Sequence, residues 1–403
     1  MNIKKLIRKT YKKFDDTITK KVMHIERRKK MIVFNKTSIT DLEEKYVLDS
    51  LKSGLLCGDH KYTKLCEEEF DKKFGMRATL TTSGSTSLDI AAILCDIKEG
   101  DEVILPSYTF VSTANAFILR GGVPVFAEID PKTMNMDPED VKRRITDKTK
   151  AICVVHYAGV ACDMDEYLKI AKENNLMLVE DAAQAIGSYY KGDPLGTIGD
   201  MGCFSFHETK NITMGEGGAL VVKDDKLFEL AEMIREKGTN RKQFFKGFVD
   251  KYTWQTMGSS YLPSDILAAV LYAQLERFDE IEQSRINIWN NYNSALEEEE
   301  KTGKLIRPYI PEYATNNAHM YYIILPTEEK RSEVITYLKQ NEIMAPFHYI
   351  PLHLSPMGQR FGYKQGDLPI TEEYSNRLLR LPLYADLTNE DQEKVIKCLK
   401  KVL

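Results

Sequence analysis

The sequence predicts an α/β protein: a mostly parallel sheet wrapped by helices, followed by a smaller α+β domain. Two observations carry this. Between residues 78 and 180, short apolar runs alternate with amphipathic helical patterns, as in repeated strand–helix–strand units. Beyond about residue 300 the alternation gives way to a few strands and helices of different spacing. At 403 residues and 43% apolar content the chain has material for one large and one small core. We divide it into an extension over 1–30, a large domain over 31–275 and a small domain over 276–403.

Taken in order, residues 1–30 hold 12 Lys or Arg against 3 Asp or Glu. Among them Ile3, Leu6, Ile7, Phe14, Ile18, Val22 and Ile25 recur at helical spacing. That pattern suits a basic amphipathic helix making weak contact with an anionic membrane surface or a partner, or a solvated extension. Ile39 to Glu44 reads as a capped helix start, and Tyr62 to Phe74 as an amphipathic helix. Ala78–Thr82 is a short strand, and Ser83-Gly84-Ser85-Thr86 leads into a helix over Leu88–Ile97. Strands then fall at 102–106, 123–129, 151–156 and 176–180, with helices at 112–119, 138–145 and 165–174 between them. A helix over 226–236 and an aromatic-rich segment over 238–261 precede one long helix over 264–296. The small domain is read as a strand at 319–325, a helix at 331–340 and a segment Leu378–Leu383 that leads to a terminal helix near 389–402.

Composition excludes several classes. No apolar run approaches the roughly 20 residues of a membrane helix, and the basic N-terminus lacks the apolar core of a signal peptide. Seven cysteines, odd in number and never in a C-x-x-C pair, suit reduced thiols in a cytoplasmic protein and argue against zinc or any other metal site. Outside the extension nothing basic suggests nucleic acid.

Four stretches carry chemistry. Ser83-Gly84-Ser85-Thr86 lies between a strand and a helix, where free backbone N–H groups and the helix dipole favour an anion; a plain helix cap would look the same. Asp181 ends the apolar strand Leu176–Glu180 and could keep a heterocyclic nitrogen protonated, or serve as an N-cap. Pro106-Ser107-Tyr108-Thr109-Phe110 ends another strand with aromatics able to cover a planar ring. Lys210 follows the buried-looking strand Cys203–Phe206, before Met214-Gly215-Glu216-Gly217-Gly218 folds the backbone back. A lysine so placed is poorly solvated, is held partly neutral, and can form a Schiff base with an aldehyde. A phosphate cradle, an acid for a ring nitrogen, an aromatic cover and an aldehyde-trapping lysine are together what pyridoxal 5′-phosphate (PLP) requires.

The segments Pro106–Ala116, His156–Cys162, Phe204–Asn211, Arg235–Arg241 and Phe347–His353 give the chain, from about Met31 to its end, a resemblance to the DegT/DnrJ family of sugar-nucleotide aminotransferases. The resemblance implies the type I PLP-dependent aminotransferase fold, with a mostly parallel seven-stranded sheet between helices, and a homodimer whose cofactor site borrows residues across the subunit boundary. It implies that Lys210 binds the cofactor and later shuttles a proton between substrate carbon and cofactor. Asp181 would pair with the ring nitrogen and Gln184 with the ring hydroxyl; Gly84, Ser85 and Ser205 would hold the phosphate, with Phe110 stacked on the ring. Ser260 stands where the family usually places an asparagine that reaches the partner's phosphate, and Leu267-Ala268-Ala269 stands where Gln-Ala-Ala is frequent. Arg241 and His353 are candidate contacts to the nucleotide sugar, with surface roles as the alternative. The strings look most like the branch that moves an amino group from L-glutamate to C4 of TDP-4-keto-6-deoxy-D-glucose in enterobacterial common antigen synthesis. A different keto sugar nucleotide, or a silent scaffold recruited by the basic extension, are the other readings; Lys210, where dehydratase relatives carry histidine, argues for amino transfer.

Overall fold

The computed structural model describes residues 31–245, 247 and 250–403. The expected amphipathic extension and its membrane contact lie outside the described residues. Two helices open the described chain, α1 (Asp41–Ser53) and α2 (Lys61–Phe74). α1 starts in a reciprocal cap, in which Thr40 accepts from Leu42 and the Glu43 carboxylate accepts from the Thr40 N–H. His60, which precedes α2, supplies no side-chain cap. Instead the buried Asp265 carboxylate, some two hundred residues on, accepts from the N–H groups of Tyr62 and Thr63.

The alternating segment builds β1 (Ala78–Thr81), α3 (Gly84–Leu94), β2 (Glu102–Pro106), α4 (Val111–Ile118), β3 (Val123–Ala127), α5 (Pro138–Arg144), β4 (Thr149–Val155), α6 (Met164–Asn174) and β5 (Met177–Asp181). β6 (Met201–Ser205), β7 (Gly218–Val222) and α7 (Asp225–Arg235) follow. The strands form one seven-stranded sheet in the order β1-β7-β6-β5-β4-β2-β3. Five of them, β6 to β3, run parallel; β7 is antiparallel to both its neighbours. The expected fold class is therefore the one observed.

Both faces of the sheet are buried, so its strands read as near-continuous apolar runs. Along β4, Ile152 and Val154 face the core shared with α2, α6 and the helix α8 (Asp265–Glu276), whereas Ala151 and Cys153 face the core beneath α3, α4 and α7. β5 divides the same way at Leu178 and Val179, and β7 at Ala219 and Leu220. This alternation aims the polar residues at the carboxyl ends of β5 and β6 in opposite directions.

The single long helix expected over 264–296 is two helices, α8 and α9 (Phe278–Ala295), broken at Arg277. Ala268, Ala269, Leu271 and Leu275 of α8 belong to the large core, but Ile288, Trp289 and Tyr292 of α9 belong to a separate one. One straight helix cannot present its apolar stripe to both. The Arg277 guanidinium bonds back to Glu43 at 3.0 Å and forward to Glu280 at 3.1 Å, which holds the bend. We propose this break as the boundary between the domains. The second core is closed by the antiparallel pair β8 (Tyr321–Ile324) and β9 (Leu378–Leu381), with α10 (Glu328–Gln340) and α12 (Asn389–Val402) packed on it, while α11 (Pro369–Arg377) leads into β9.

Glu180, on β5, locks the sheet to its loops. Its fully buried carboxylate accepts from the N–H groups of Gly196 (2.8 Å), Ile198 (2.7 Å) and Gly199 (2.6 Å). It also meets His156 Nε2 at 2.9 Å. Because His156 Nδ1 accepts from the Cys162 N–H, Nε2 carries the proton and donates. Glu180→Ala should leave these buried donors unpaired and lower stability by about 3 kcal/mol, read as a drop in the urea midpoint; a midpoint unchanged from wild type would refute the anchoring role.

Candidate active site

The carboxyl ends of β2, β5 and β6 open into a cavity of about 820 Å³, closed on the far side by residues of the second domain. On its floor is Asp181, the last residue of β5 and the neighbour of Glu180 on the opposite face. Asp181 is 6% exposed. Its Oδ2 accepts from Thr113 Oγ1 at 2.7 Å and its Oδ1 from the Ala183 N–H at 3.2 Å. Thr113 in turn contacts Thr109 at 2.8 Å, so the carboxylate is oriented from α4. Burial raises its pKa, partly offset by these hydrogen bonds and by the charge of Lys210.

Lys210 approaches from the loop between β6 and β7. That loop is a narrow backbone hairpin: Phe206 N–H donates to Gly217, Glu208 N–H to Gly215, and Met214 N–H back to Phe206. Gly218 is required at its end, since a Cβ there would lie 2.5 Å from the backbone of Ser83. The close approach brings the lysine loop against the Ser83–Thr86 turn. Burial pulls the Lys210 pKa down to about 8; Asp181 acts against this and Arg380 with it. A substantial fraction of the amine is therefore neutral near physiological pH, as a nucleophile toward an aldehyde must be.

Ser83 caps α3 by accepting from the Thr86 N–H at 3.1 Å. The N–H groups of Gly84 and Ser85, at the first two helical positions, have no acceptor within the helix and line the cavity. A Cβ on Gly84 would sit 2.7 Å from Ser205 Cβ, so glycine lets the helix start close against β6. Ser85 Oγ lies 2.5 Å from Ser112 Oγ, and Ser205 completes this polar end of the cavity. Phe110 is 56% exposed and forms a wall. The Gln184 Oε1 accepts from the Ala158 N–H at 2.7 Å and its Nε2 donates to Tyr349 at 3.1 Å, leaving one N–H to spend. Gly84, Ser85, Phe110, Asp181, Gln184, Ser205 and Lys210 thus share one cavity. Its open helix start, buried carboxylate and partly neutral lysine fit the phosphate, ring nitrogen and aldehyde of PLP.

Three expected site residues lie elsewhere. His353 is fully buried, with Nδ1 2.7 Å from Ser107 and Nε2 3.0 Å from Glu372. One ring nitrogen ties the small domain to the end of β2 and the other is used within the small domain, so His353 has no face for a sugar nucleotide, and its expected substrate contact is corrected to a structural one. Arg241 lies outside the cavity, 3.4 Å from Glu236. Ser260 is exposed, paired with Glu236 by an isolated bridge, and does not reach its own chain's cavity.

The structure adds residues the sequence did not flag. His319 enters from just before β8, with Nδ1 2.8 Å from Asn211 Oδ1. The Asn211 Nδ2 donates to the Asn317 carbonyl, which fixes Oδ1 as acceptor, Nδ1 as the protonated nitrogen and Nε2 as a lone pair. Burial and nearby Lys210, Arg285 and Arg380 hold the ring neutral, well below the usual histidine range. His348 and Tyr349 stack with centroids 3.5 Å apart and line the same wall. Arg380 stands in Leu378-Leu379-Arg380-Leu381; a lone charge in an apolar strand was the signal that could have found it.

Only a neutral amine attacks an aldehyde, so trapping of added PLP on Lys210 by borohydride should rise with pH through an inflection near 8. Asp181→Asn, removing the charge that draws the pKa up, should move the inflection lower. Mass spectrometry of the reduced adduct reads both; an inflection near the ordinary lysine value of about 10.4 would refute the buried amine.

Comparison with known proteins agrees with this geometry. The DegT/DnrJ/EryC1/StrS aminotransferase family model matches residues 37–400. The chain is 34% identical over 391 residues to the spore coat polysaccharide biosynthesis protein SpsC of Bacillus subtilis, covering 94% of this chain and 99% of that one. It is 33% identical over 377 residues to a GDP-perosamine synthase of Vibrio cholerae, covering 92% and 98%. Among solved structures, the aminotransferase TlmJ of Streptoalloteichus hindustanus superposes with a TM-score of 0.85 at 29% identity, over 92% of this chain and 98% of that one. Spr1654 of Streptococcus pneumoniae in its PMP form gives 0.86 at 26% identity, over 92% and 98%; it has also been solved with PLP. The chain belongs to the DegT/DnrJ/EryC1/StrS aminotransferase family, and is a PLP-dependent sugar aminotransferase.

Proposed function

We propose that this enzyme transfers the amino group of L-glutamate to the C4 keto group of TDP-4-keto-6-deoxy-D-glucose, giving TDP-4-amino-4,6-dideoxy-D-galactose for a cell-surface polysaccharide. The observation that carries amino transfer is the partly neutral Lys210 facing Asp181 in one cavity. The choice of sugar rests on the segments at 106–116, 156–162, 204–211, 235–241 and 347–353; relatives named for a GDP-linked sugar and for spore coat polysaccharide support the class.

When bound, PLP supplies an electron sink that stabilises negative charge on the carbon bearing nitrogen. The protein does the rest. Asp181 keeps the ring nitrogen protonated, held for that task by Thr113 and the Ala183 N–H. The Gly84 and Ser85 N–H groups, with Ser85 and Ser205 hydroxyls, bind the phosphate. Gln184 spends its free N–H on the ring hydroxyl, and Phe110 covers the ring. Lys210 would take the proton from the donor carbon and return one to C4 of the sugar, alternating as base and acid at a pKa suited to both.

The working unit is a homodimer in this reading. Leu48 and Leu51 of α1, the following Leu55, Met257 and the 79% exposed Trp254 are large apolar side chains left exposed, and Ser260 is exposed as well. A second copy would cover part of this apolar surface and bring Ser260 to the partner's phosphate.

Lys210→Ala should abolish turnover, about 1000-fold or more, while circular dichroism stays that of wild type; near-normal activity would refute the assigned role. Incubated with TDP-4-keto-6-deoxyglucose and glutamate, the enzyme should release 2-oxoglutarate and a 4-amino sugar. Consumption of another keto sugar nucleotide instead would overturn the substrate. Light scattering should give twice the chain mass.

A further inference from the structure

The segment over residues 31–38 precedes the large-domain helices in sequence but begins in the second core. Ile32 is buried there and pairs in parallel with Ile343. Its N–H donates to the Glu342 carbonyl and its carbonyl accepts from the Met344 N–H, both at 2.9 Å. The Phe34 carbonyl accepts from the Leu383 N–H at 3.2 Å. The chain is held again at Ser38, whose carbonyl accepts from Gln274 Nε2 of α8 at 2.8 Å. Between these anchors it runs along the cavity wall, which Phe34 and Asn35 help to line. There Asn35 Nδ2 and Thr37 Oγ1 both donate to one acceptor, the Glu208 carbonyl, at 3.3 and 3.2 Å.

Glu208 stands two residues before Lys210. Its N–H is spent on Gly215, and the Lys210 N–H turns back to the His207 carbonyl. The Glu208 carbonyl is thus left to the strap of residues 35–37, and its two lone pairs take both donors. On the other side of the lysine, Asn211 is held by His319 and by the Asn317 carbonyl, from the turn before β8. Lys210 is therefore bracketed by two segments that both run into the second core, through Ile32 and through Ala318. The Asn211 side is buried; the strap side is half-buried. A lysine side chain is a flexible four-carbon stem, so the place its amine can reach depends on where its backbone is held. An amine that moves a proton at a substrate carbon must lie within hydrogen-bond reach of it, and a misplacement of about 1 Å can cost on the order of 100-fold in rate. We infer that Asn35 and Thr37 are positioning residues, which set the Lys210 backbone at the cavity through the Glu208 carbonyl and make the small domain part of that setting. The inference rests on the reading of Lys210 as the proton carrier.

The test compares the double variant Asn35→Ala, Thr37→Val and the single variant Thr37→Ser with wild type. Holoenzymes are mixed with L-glutamate alone, and the loss of the cofactor's aldehyde absorbance gives a limiting rate and an apparent KM. In the double variant the limiting rate should fall about tenfold, the size of two ordinary hydrogen bonds, with KM changed by less than about threefold. The isotope effect with 2-deuterated glutamate should rise, because proton transfer then takes a larger share of the rate. Thr37→Ser keeps the hydroxyl and should stay within about twofold of wild type. Without cofactor or substrate, hydrogen exchange at the amides of residues 206–217 should be about tenfold faster in the double variant, while β4 keeps wild-type protection as the control for folding. A limiting rate within about twofold of wild type in the double variant, a loss carried by KM, an equal loss in Thr37→Ser, or unchanged exchange in the lysine loop would overturn the inference. A wrong sugar leaves this donor-side comparison untouched. If Lys210 is not the proton carrier, Lys210→Ala keeps turnover and the isotope effect is the same in every form. A wild type that glutamate does not bleach would refute the donor, and the exchange arm, which needs no substrate, would still decide the role of the strap.

Discussion

The site depends on keeping one amine half out of water beside one carboxylate. Desolvation alone would strip Lys210 of its proton well below neutrality in the limit of full burial, and Asp181 alone would lock the proton on. Their opposition leaves the lysine with a pKa of about 8. Most of the surrounding structure can be understood as holding that balance. Thr113 and the Ala183 N–H orient the carboxylate, and the narrow hairpin of residues 206–217 delivers the amine.

The strand geometry under it explains why two acids stand side by side. Successive residues of β5 face opposite sides of the sheet, so Glu180 and Asp181 are separated by the sheet itself. Glu180 is consumed by three backbone N–H groups and His156, and so remains a fixture of the fold. Asp181 keeps capacity for one more cationic partner. The strand is thus pinned by one carboxylate and presents the next to the cavity, which ties loop order at 196–199 to the placement of the cavity floor.

The small domain contributes more than a lid. His319, His348, Tyr349 and Arg380 all reach the cavity from it, and Asn317 fastens its first strand to the Gln184 and Ile186 carbonyls. Arg285, buried and bonded to the Ala318 and His319 carbonyls, fixes the same connection from α9. The large domain brings the Gly84–Ser85 helix start, Asp181 and Lys210 to the cavity, and the small domain brings His319, His348, Tyr349 and Arg380.

By itself the sequence determined the layered fold, the order of its elements and the cofactor floor. Each of these is encoded locally: strand and helix periodicities, a glycine between a strand and a helix, an acid closing an apolar run, a lysine after the next one. It could not reveal the residues that converge from separate elements. A histidine in Phe347–His353 looks the same whether it meets substrate or, as His353 does, spends both nitrogens on Ser107 and Glu372. Arg241 and Arg380 are equally cationic on paper, yet one lies beside Glu236 outside the cavity and the other faces inward without a carboxylate. The break at Arg277 likewise follows from two cores that no local pattern announces. Tertiary structure decides these matters because burial and the identity of the nearest charge, which set what a side chain can do, arise only when distant segments pack.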